Sequence, residues 1–263
     1  MSINLTHTLN SLWNSLGVNS SDTLLIHSNI KPLLRYFFRN GIRIKTEDIL
    51  DSILNHVSKG NIIFPAFNFE SINNKYFSIN ETISEMGLLS ETARLHKDSK
   101  RTKHPVYSFS CFGPITKSLL EVKNYTAYGQ DSPFQKLRDV EAKIIVFDLP
   151  ENRSMTFYHH VEEVLRVDYR YLKEFTFEYI DSNYFSKGLT KFSIFVRDLE
   201  SKVCTNVEPM GEKLHSLGLY KENIIPKEVK ARIVSSKDLF TETEKVINLG
   251  NAQGMLYEIN EEN

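Results

Sequence analysis

The feature that most constrains this chain is a set of nearly unbroken apolar runs separated by segments of helical period. Thr23–His27, Ile62–Phe67 and Lys143–Asp148 are the clearest runs. A strand reads this way when both of its faces are buried, and helices packed on both sides of a sheet bury both faces. Helical spacing lies between the runs. Leu5, Leu9, Leu12, Trp13 and Leu16 mark a helix over Leu5–Leu16, and others are predicted at Glu47–Val57, with Thr46 as N-cap, at Met86–His96 and at Phe134–Arg138, opened by Ser132-Pro133. Met155–Arg166 follows the third run directly. Val106–Phe112 and Ala231–Val234 add strands, and a helix near Phe240–Ile247 closes the chain. Lys173–Val203 is different: F-T-F-E-Y-I and K-F-S-I-F-V alternate, with Gly188 between them, which predicts antiparallel strands. The pattern implies an α/β fold. We expect a single layered domain over 1–263, with a central mixed, largely parallel sheet flanked by helices and an antiparallel strand insertion in the C-terminal half.

Charge and composition exclude several functions. The chain has 33 acidic and 32 basic residues and a net charge of −1. No basic block or basic–aromatic stripe suggests a nucleic-acid surface. No run reaches the roughly 18 apolar residues of a membrane span, and the first residues lack the basic and apolar regions of a signal peptide. Two cysteines in 263 residues argue against a disulfide framework and for a reducing cytoplasm. Cys111 shares strand parity with Tyr107 and Phe109 and reads as core.

Chemistry concentrates on Met155–Arg166. At about 100° per residue, Phe157, Tyr158, Val161, Val164 and Leu165 cluster on one side, and Thr156, His159, Glu162, Glu163 and Arg166 on the other. His159 and Glu162 stand at i and i+3, so their side chains can meet. A carboxylate fixes an imidazole's tautomer and stabilises its protonated form, as a general base requires. The same spacing fits an ordinary solvated His–Glu pair. His160 falls toward the apolar edge and reads as packing or a supporting contact. H-H-x-x-E-E is neither a zincin nor an inverzincin pattern, and no cysteine cluster accompanies it, so no metal is expected.

Elsewhere, polar turns punctuated by Pro and Gly adjoin well-packed segments, which suits a loop-built site. H-S-N-I-K at 27–31 ends a strand. S-K-R-T-K-H-P covers 99–105, following M-G-L-L-S-E-T at 86–92. G-Q-D-S-P-F covers 129–134, and T-x-x-H-x-x-E spans Thr156, His159 and Glu162. In this order and at these spacings, the segments resemble the aminoglycoside 3-N-acetyltransferase family over about 22–246. The resemblance implies transfer of an acetyl group from acetyl-CoA to an amino-sugar amine, with no acyl-enzyme. His159 would take the proton of the attacking amine, supported by Glu162.

The resemblance also implies where coenzyme A binds. Ser28 and Lys31 match the family's first loop, where Asn29 replaces a usual Ser. Arg101 and His104 match its R-S-x-H-P turn, with Thr102 in place of Ser; Lys100, Arg101 and Lys103 would meet the phosphates. Ser132 and Phe134 match its S-P-F turn, whose N–H groups would bind the coenzyme or polarise the thioester oxygen. By residue type alone, these same segments also read as a plain loop, a solvated basic loop and a helix cap. For the acceptor, Asn68, Phe69, Glu70, Asp131 and Thr156 are candidates. The 73–81 segment, N-N-K-Y-F-S-I-N-E, lacks the family's Pro-Ser-rich loop. That departure and the near-neutral charge favour a nucleotide-linked (dTDP or UDP) amino-deoxyhexose bound for surface polysaccharide, with Lys75, Arg35 and Arg39 meeting its diphosphate. An aminoglycoside is the alternative acceptor. A homodimer is compatible with the sequence.

Overall fold

The structure, a computed structural model, describes residues 4–224 and 226–260. In chain order its elements are α1 (Leu5–Ser15), β1 (Thr23–Ser28), α2 (Lys31–Arg39), α3 (Thr46–His56), β2 (Asn61–Pro65), α4 (Glu70–Asn74), β3 (Tyr76–Ser78), α5 (Leu88–Leu95), β4 (Lys100–Arg101), β5 (Phe109–Phe112), α6 (Thr116–Glu121), α7 (Pro133–Asp139), β6 (Lys143–Phe147), α8 (Phe157–Leu165), β7 (Arg170–Ile180), β8 (Ser186–Arg197), β9 (Val203–Thr205), α9 (Glu208–Ser216), β10 (Lys221–Glu222), β11 (Ala231–Ser235), α10 (Ser236–Asn248) and β12 (Tyr257–Ile259).

The three apolar runs become β1, β2 and β6 at the centre of a seven-stranded mixed sheet, ordered β10-β11-β6-β1-β2-β5-β4. Parallel pairing is confined to β6-β1-β2. The flanking pairings, β10–β11, β11–β6, β2–β5 and β4–β5, are all antiparallel, so the parallel part is narrower than the sequence implies. Leu24 and Ile26 pack into one apolar cluster, with Leu9, Leu12, Trp13 and Phe37, and Leu25 into another, with Phe109, Phe134 and Phe157. Successive strand residues feed opposite layers, which is why the runs are continuous.

The antiparallel insertion is β7–β8, a long hairpin that β3 extends on one edge in parallel. Its reversal lies at 181–185 rather than at Gly188. There the Asp181 carboxylate accepts the Asn183 and Phe185 N–H groups, and Gly188 lies within β8. The 73–81 segment is not a loop. It ends α4, turns at Lys75 in the left-handed region (φ 53°) and forms β3. Residues 31–39, to which the sequence reading assigns no helix or strand, form α2, which Pro32 helps to open.

Candidate active site

Helix α8 carries the reactive pair. His159 Nδ1 lies 2.7 Å from Glu162 Oε2, one helical turn away. A carboxylate only accepts, so Nδ1 carries the proton and Nε2 keeps its lone pair. The helix ends at Arg166, in the left-handed conformation (φ 54°), and the chain doubles back into β7. That reversal brings Tyr169 and Arg170 to the buried Glu162. Arg170 Nε lies 2.8 Å from Oε2, and the Tyr169 hydroxyl donates to Oε1 at 3.1 Å. Arg170 is itself held through Nη1 to the Phe195 carbonyl and through Nη2 to Thr205 Oγ1.

These partners set the protonation states. Burial alone would raise the Glu162 carboxyl, but Arg170, His159 and Tyr169 together hold it below the usual range. Burial and the Arg170 charge lower His159 against the opposing pull of Glu162, so the imidazole is neutral and ready to accept a proton at pH 7. His159 is partly open, with 19% of its side chain exposed. It lines a cavity of about 340 Å³ whose wall includes Tyr107, Tyr128, Arg170, Lys173, Phe175 and Arg197. Three cations line this cavity, and no carboxylate does.

His160 points the other way. Its Nδ1 bonds the Tyr128 carbonyl, and its ring stacks on Phe134 and meets Phe157 and Phe240. Burial pushes it down to about 4, so it packs as a neutral ring. Glu163, one residue beyond Glu162, accepts the Tyr128 N–H and packs on the next turn. A Cβ at Gly129 would lie 2.5 Å from Thr126 Oγ1 and 2.6 Å from Glu163 Oε1, so a larger residue there would displace both side chains.

A second cleft, about 660 Å³, opens where β1 and β2 end. Ser28, Asn29 and Lys31 line it, together with His27, Pro65, Glu85, Met86, Gly87, Leu149 and Arg153. Asn29 ties the end of β1 to the end of β6 by donating to the Asp148 carboxylate at 3.0 Å. Ser28 Oγ and His27 Nε2 are buried there without a hydrogen-bond partner, two polar atoms suited to a ligand's amides. Lys31 and Arg153 are its cations.

Other expected contacts are consumed inside the protein. Arg101 is buried, and its guanidinium donates to the carbonyls of Ile79, Thr82 and Ala66 and to Ser108 Oγ. Burial pushes it down to about 9, and four of its five N–H donors are committed to these internal oxygens. The turn that looked basic and exposed turns this arginine inward to satisfy four oxygens. Thr102 exchanges hydrogen bonds with Phe109. His104, fully buried, accepts the Val106 and Tyr107 N–H groups at Nδ1 and donates from Nε2 to the Ser193 carbonyl. Ser132 donates to the Gly129 carbonyl and Phe134 is core, so neither faces a cleft.

The acceptor candidates scatter. Asn68 is buried and satisfied by Ser71, Ile83 and Glu85. Glu70 is exposed at the start of α4 and accepts from Asn73. Asp131 lines a separate cleft with Glu163 and Arg166. Thr156 is half-buried one turn before His159, whose N–H its carbonyl accepts. Phe69 is 42% exposed and meets Tyr107 edge-on at 5.7 Å. Its N–H donates to Glu85 of the second cleft. Phe69 therefore touches Tyr107 of the His159 cavity through its ring and Glu85 of the second cleft through its N–H.

The sequence reading missed Tyr169 and Arg170, the groups that hold Glu162, as well as Glu85, Arg153, Tyr107 and Tyr128. Glu85 had a signal, an acid directly before M-G-L-L-S-E-T. No spacing rule crosses the helix end that separates Glu162 from Arg170. Among the described residues, no group of three or more His, Cys, Asp or Glu side chains is placed to hold a metal, and no helix is long and apolar enough to cross a membrane.

Comparison with known proteins identifies the family and the fold. The family model for aminoglycoside 3-N-acetyltransferase matches residues 25–248. No curated protein matches the chain. Among solved structures, aminoglycoside acetyltransferase AAC(3)-IIb is 16% identical, with a TM-score of 0.78 over 95% of this chain and 98% of its own. AAC-IIIb, solved as a binary complex with CoASH, is 14% identical, with a TM-score of 0.76 over 93% and 96%. AAC-VIa bound to sisomicin is 15% identical, with a TM-score of 0.78 over 96% and 100%. These findings overturn the expectation of a nucleotide-linked amino-deoxyhexose, because the family and these structural neighbours are aminoglycoside enzymes. The structure removes its physical basis too. Arg35 and Arg39 line a separate small cleft on α2, Lys75 caps α4, and none of the three lines the His159 cavity. The chain belongs to the aminoglycoside 3-N-acetyltransferase family.

Proposed function

We propose that this acetyltransferase moves the acetyl group of acetyl-CoA directly to an amine of an aminoglycoside-class amino sugar, with His159 as general base. The observation that carries the proposal is the 2.7 Å bond from His159 Nδ1 to the buried Glu162 carboxylate, at the wall of an open cavity. The amine nitrogen attacks the thioester carbonyl carbon and forms the C–N bond. His159 Nε2 takes the amine proton. As the intermediate collapses the C–S bond breaks, and the same proton passes to the departing thiolate, giving the acetamide and coenzyme A. Glu162, fixed by Arg170, stabilises the imidazolium between these steps. The cations around the cavity lower the pKa of a bound amine and so keep it in the nucleophilic neutral form.

Acetyl-CoA occupies the cleft at the end of β1. Ser28 and His27 offer unpartnered polar atoms to the pantetheine amides, and Lys31 and Arg153 meet the phosphates. The enzyme works in the cytoplasm, in keeping with its two unpaired cysteines. The test is release of coenzyme A thiol with sisomicin, apramycin and a simple monoamino sugar. Turnover of the drugs is expected. Turnover of the monoamino sugar alone would move the acceptor to singly charged amines, and no release with any of them would refute the proposal.

A further inference from the structure

Aminolysis of a thioester places a negative charge on the carbonyl oxygen, and a fixed donor aimed at that oxygen is worth on the order of 10² to 10³ in rate. The S-P-F turn does not supply one, since Ser132 and Phe134 are buried and Pro133 has no N–H. Arg170 is pinned by Glu162, Phe195 and Thr205 and serves as the counter-ion of Glu162. Lys173 lies over the Phe175 ring, 5.7 Å from its centroid.

Two phenols remain on the His159 cavity wall, Tyr107 and Tyr128. Apart from each other, no group among the described residues takes up their hydroxyls. Tyr128 is almost wholly buried, whereas Tyr107 is half-buried at the wall. The Tyr107 ring is gripped edge-on by Phe67 at 5.0 Å, Phe69 at 5.7 Å and Tyr128 at 4.7 Å. Its backbone N–H is anchored on His104 Nδ1 at 3.1 Å. Tyr107 thus sits on a continuous row of contacts. Phe69, whose N–H is held by Glu85 of the coenzyme cleft, touches it on one side, and Tyr128 leads to His159 on the other, with ring centroids 5.3 Å apart. The row joins a residue of the coenzyme cleft to the base.

We propose that the Tyr107 hydroxyl donates the hydrogen bond that stabilises the oxyanion of the tetrahedral intermediate. The inference rests on the acetyl-transfer reading above. It also gives the buried His104 a role, as the anchor that aims Tyr107. Burial raises the Tyr107 phenol against the opposing influence of Tyr128 and Arg170, so the donor proton is present at neutral pH.

The test is Tyr107→Phe, which keeps the ring and removes the donor. Its kcat should fall on the order of 10² to 10³, with the KM values for acetyl-CoA and acceptor and the Tm unchanged. Tyr128→Phe should lose much less. A kcat for Tyr107→Phe within twofold of wild type, or a loss confined to KM, would overturn the assignment while leaving His159 as base. Full rate in Tyr107→Phe with loss of kcat in Lys173→Met would give the role to the ammonium. If the wild-type enzyme transferred acetyl to no amine at all, both readings would fall together.

Discussion

The buried histidines make this protein acid-sensitive by an amount that can be worked out. Burial, with help from Arg232, pushes His27 down to about 3, and burial pushes His104 and His160 down to about 4. In the unfolded chain each returns to 6.5. A depressed histidine means that the unfolded state binds more protons, so stability is full above about 6.5 and is lost as the pH falls toward the folded-state values. Between pH 7.5 and pH 5 each histidine should cost about 2 kcal/mol. Together the three cost about 6 kcal/mol, against a typical total stability of about 5–15 kcal/mol. Urea midpoints at pH 7.5, 6.5, 5.5 and 5.0 measure this directly. The midpoint should begin to drop near pH 6.5. His160→Phe suits the aromatic nest of Phe134, Phe157 and Phe240. It should start less stable, having lost the bond to the Tyr128 carbonyl, yet fall with a slope about one proton shallower, roughly 1.4 kcal/mol per pH unit. A midpoint constant from pH 7.5 to 5, or a fall starting only in the carboxylate range, would refute the reasoning.

Other outcomes follow from the site. His159→Ala should lower kcat on the order of 10² to 10⁴ with coenzyme affinity unchanged, measured by thiol release and by coenzyme titration. Glu162→Gln should cost less rate, and the acid limb of its pH–rate profile should move to lower pH, because Glu162 is what raises the His159 pKa. Arg170→Met leaves a buried carboxylate unpaired and should destabilise the fold by about 3–5 kcal/mol by urea titration. Lys31→Met with Arg153→Met should raise KM for acetyl-CoA several-fold, whereas Arg101→Met should lower Tm by orphaning buried carbonyls.

The readable parts of the fold were those set by local pattern. β1, β2 and β6 were visible because strands covered on both faces leave no polar positions. The His159–Glu162 pair was visible because three residues make nearly one helical turn. Side-chain direction in the turns was not legible. Arg101 reads as a surface cation among Lys100 and Lys103, yet four oxygens brought together from residues 66, 79, 82 and 108 draw it inward. β5 and β11 pair antiparallel with strands remote in sequence, so the share of parallel pairing is a property of the assembled sheet. Arg170 escaped notice for the same reason, because its role exists only after the chain reverses at Arg166.

That reversal also makes the catalytic base depend on a second part of the fold. Glu162 belongs to a helix packed on the large sheet, while Arg170 opens the β7–β8 hairpin and is latched to Phe195 on its second strand and Thr205 beyond it. Until the hairpin docks, the buried carboxylate has no arginine counter-ion. Activity therefore reports whether the β7–β8 hairpin is seated against α8, since the latches that place Arg170 lie at Phe195 and Thr205.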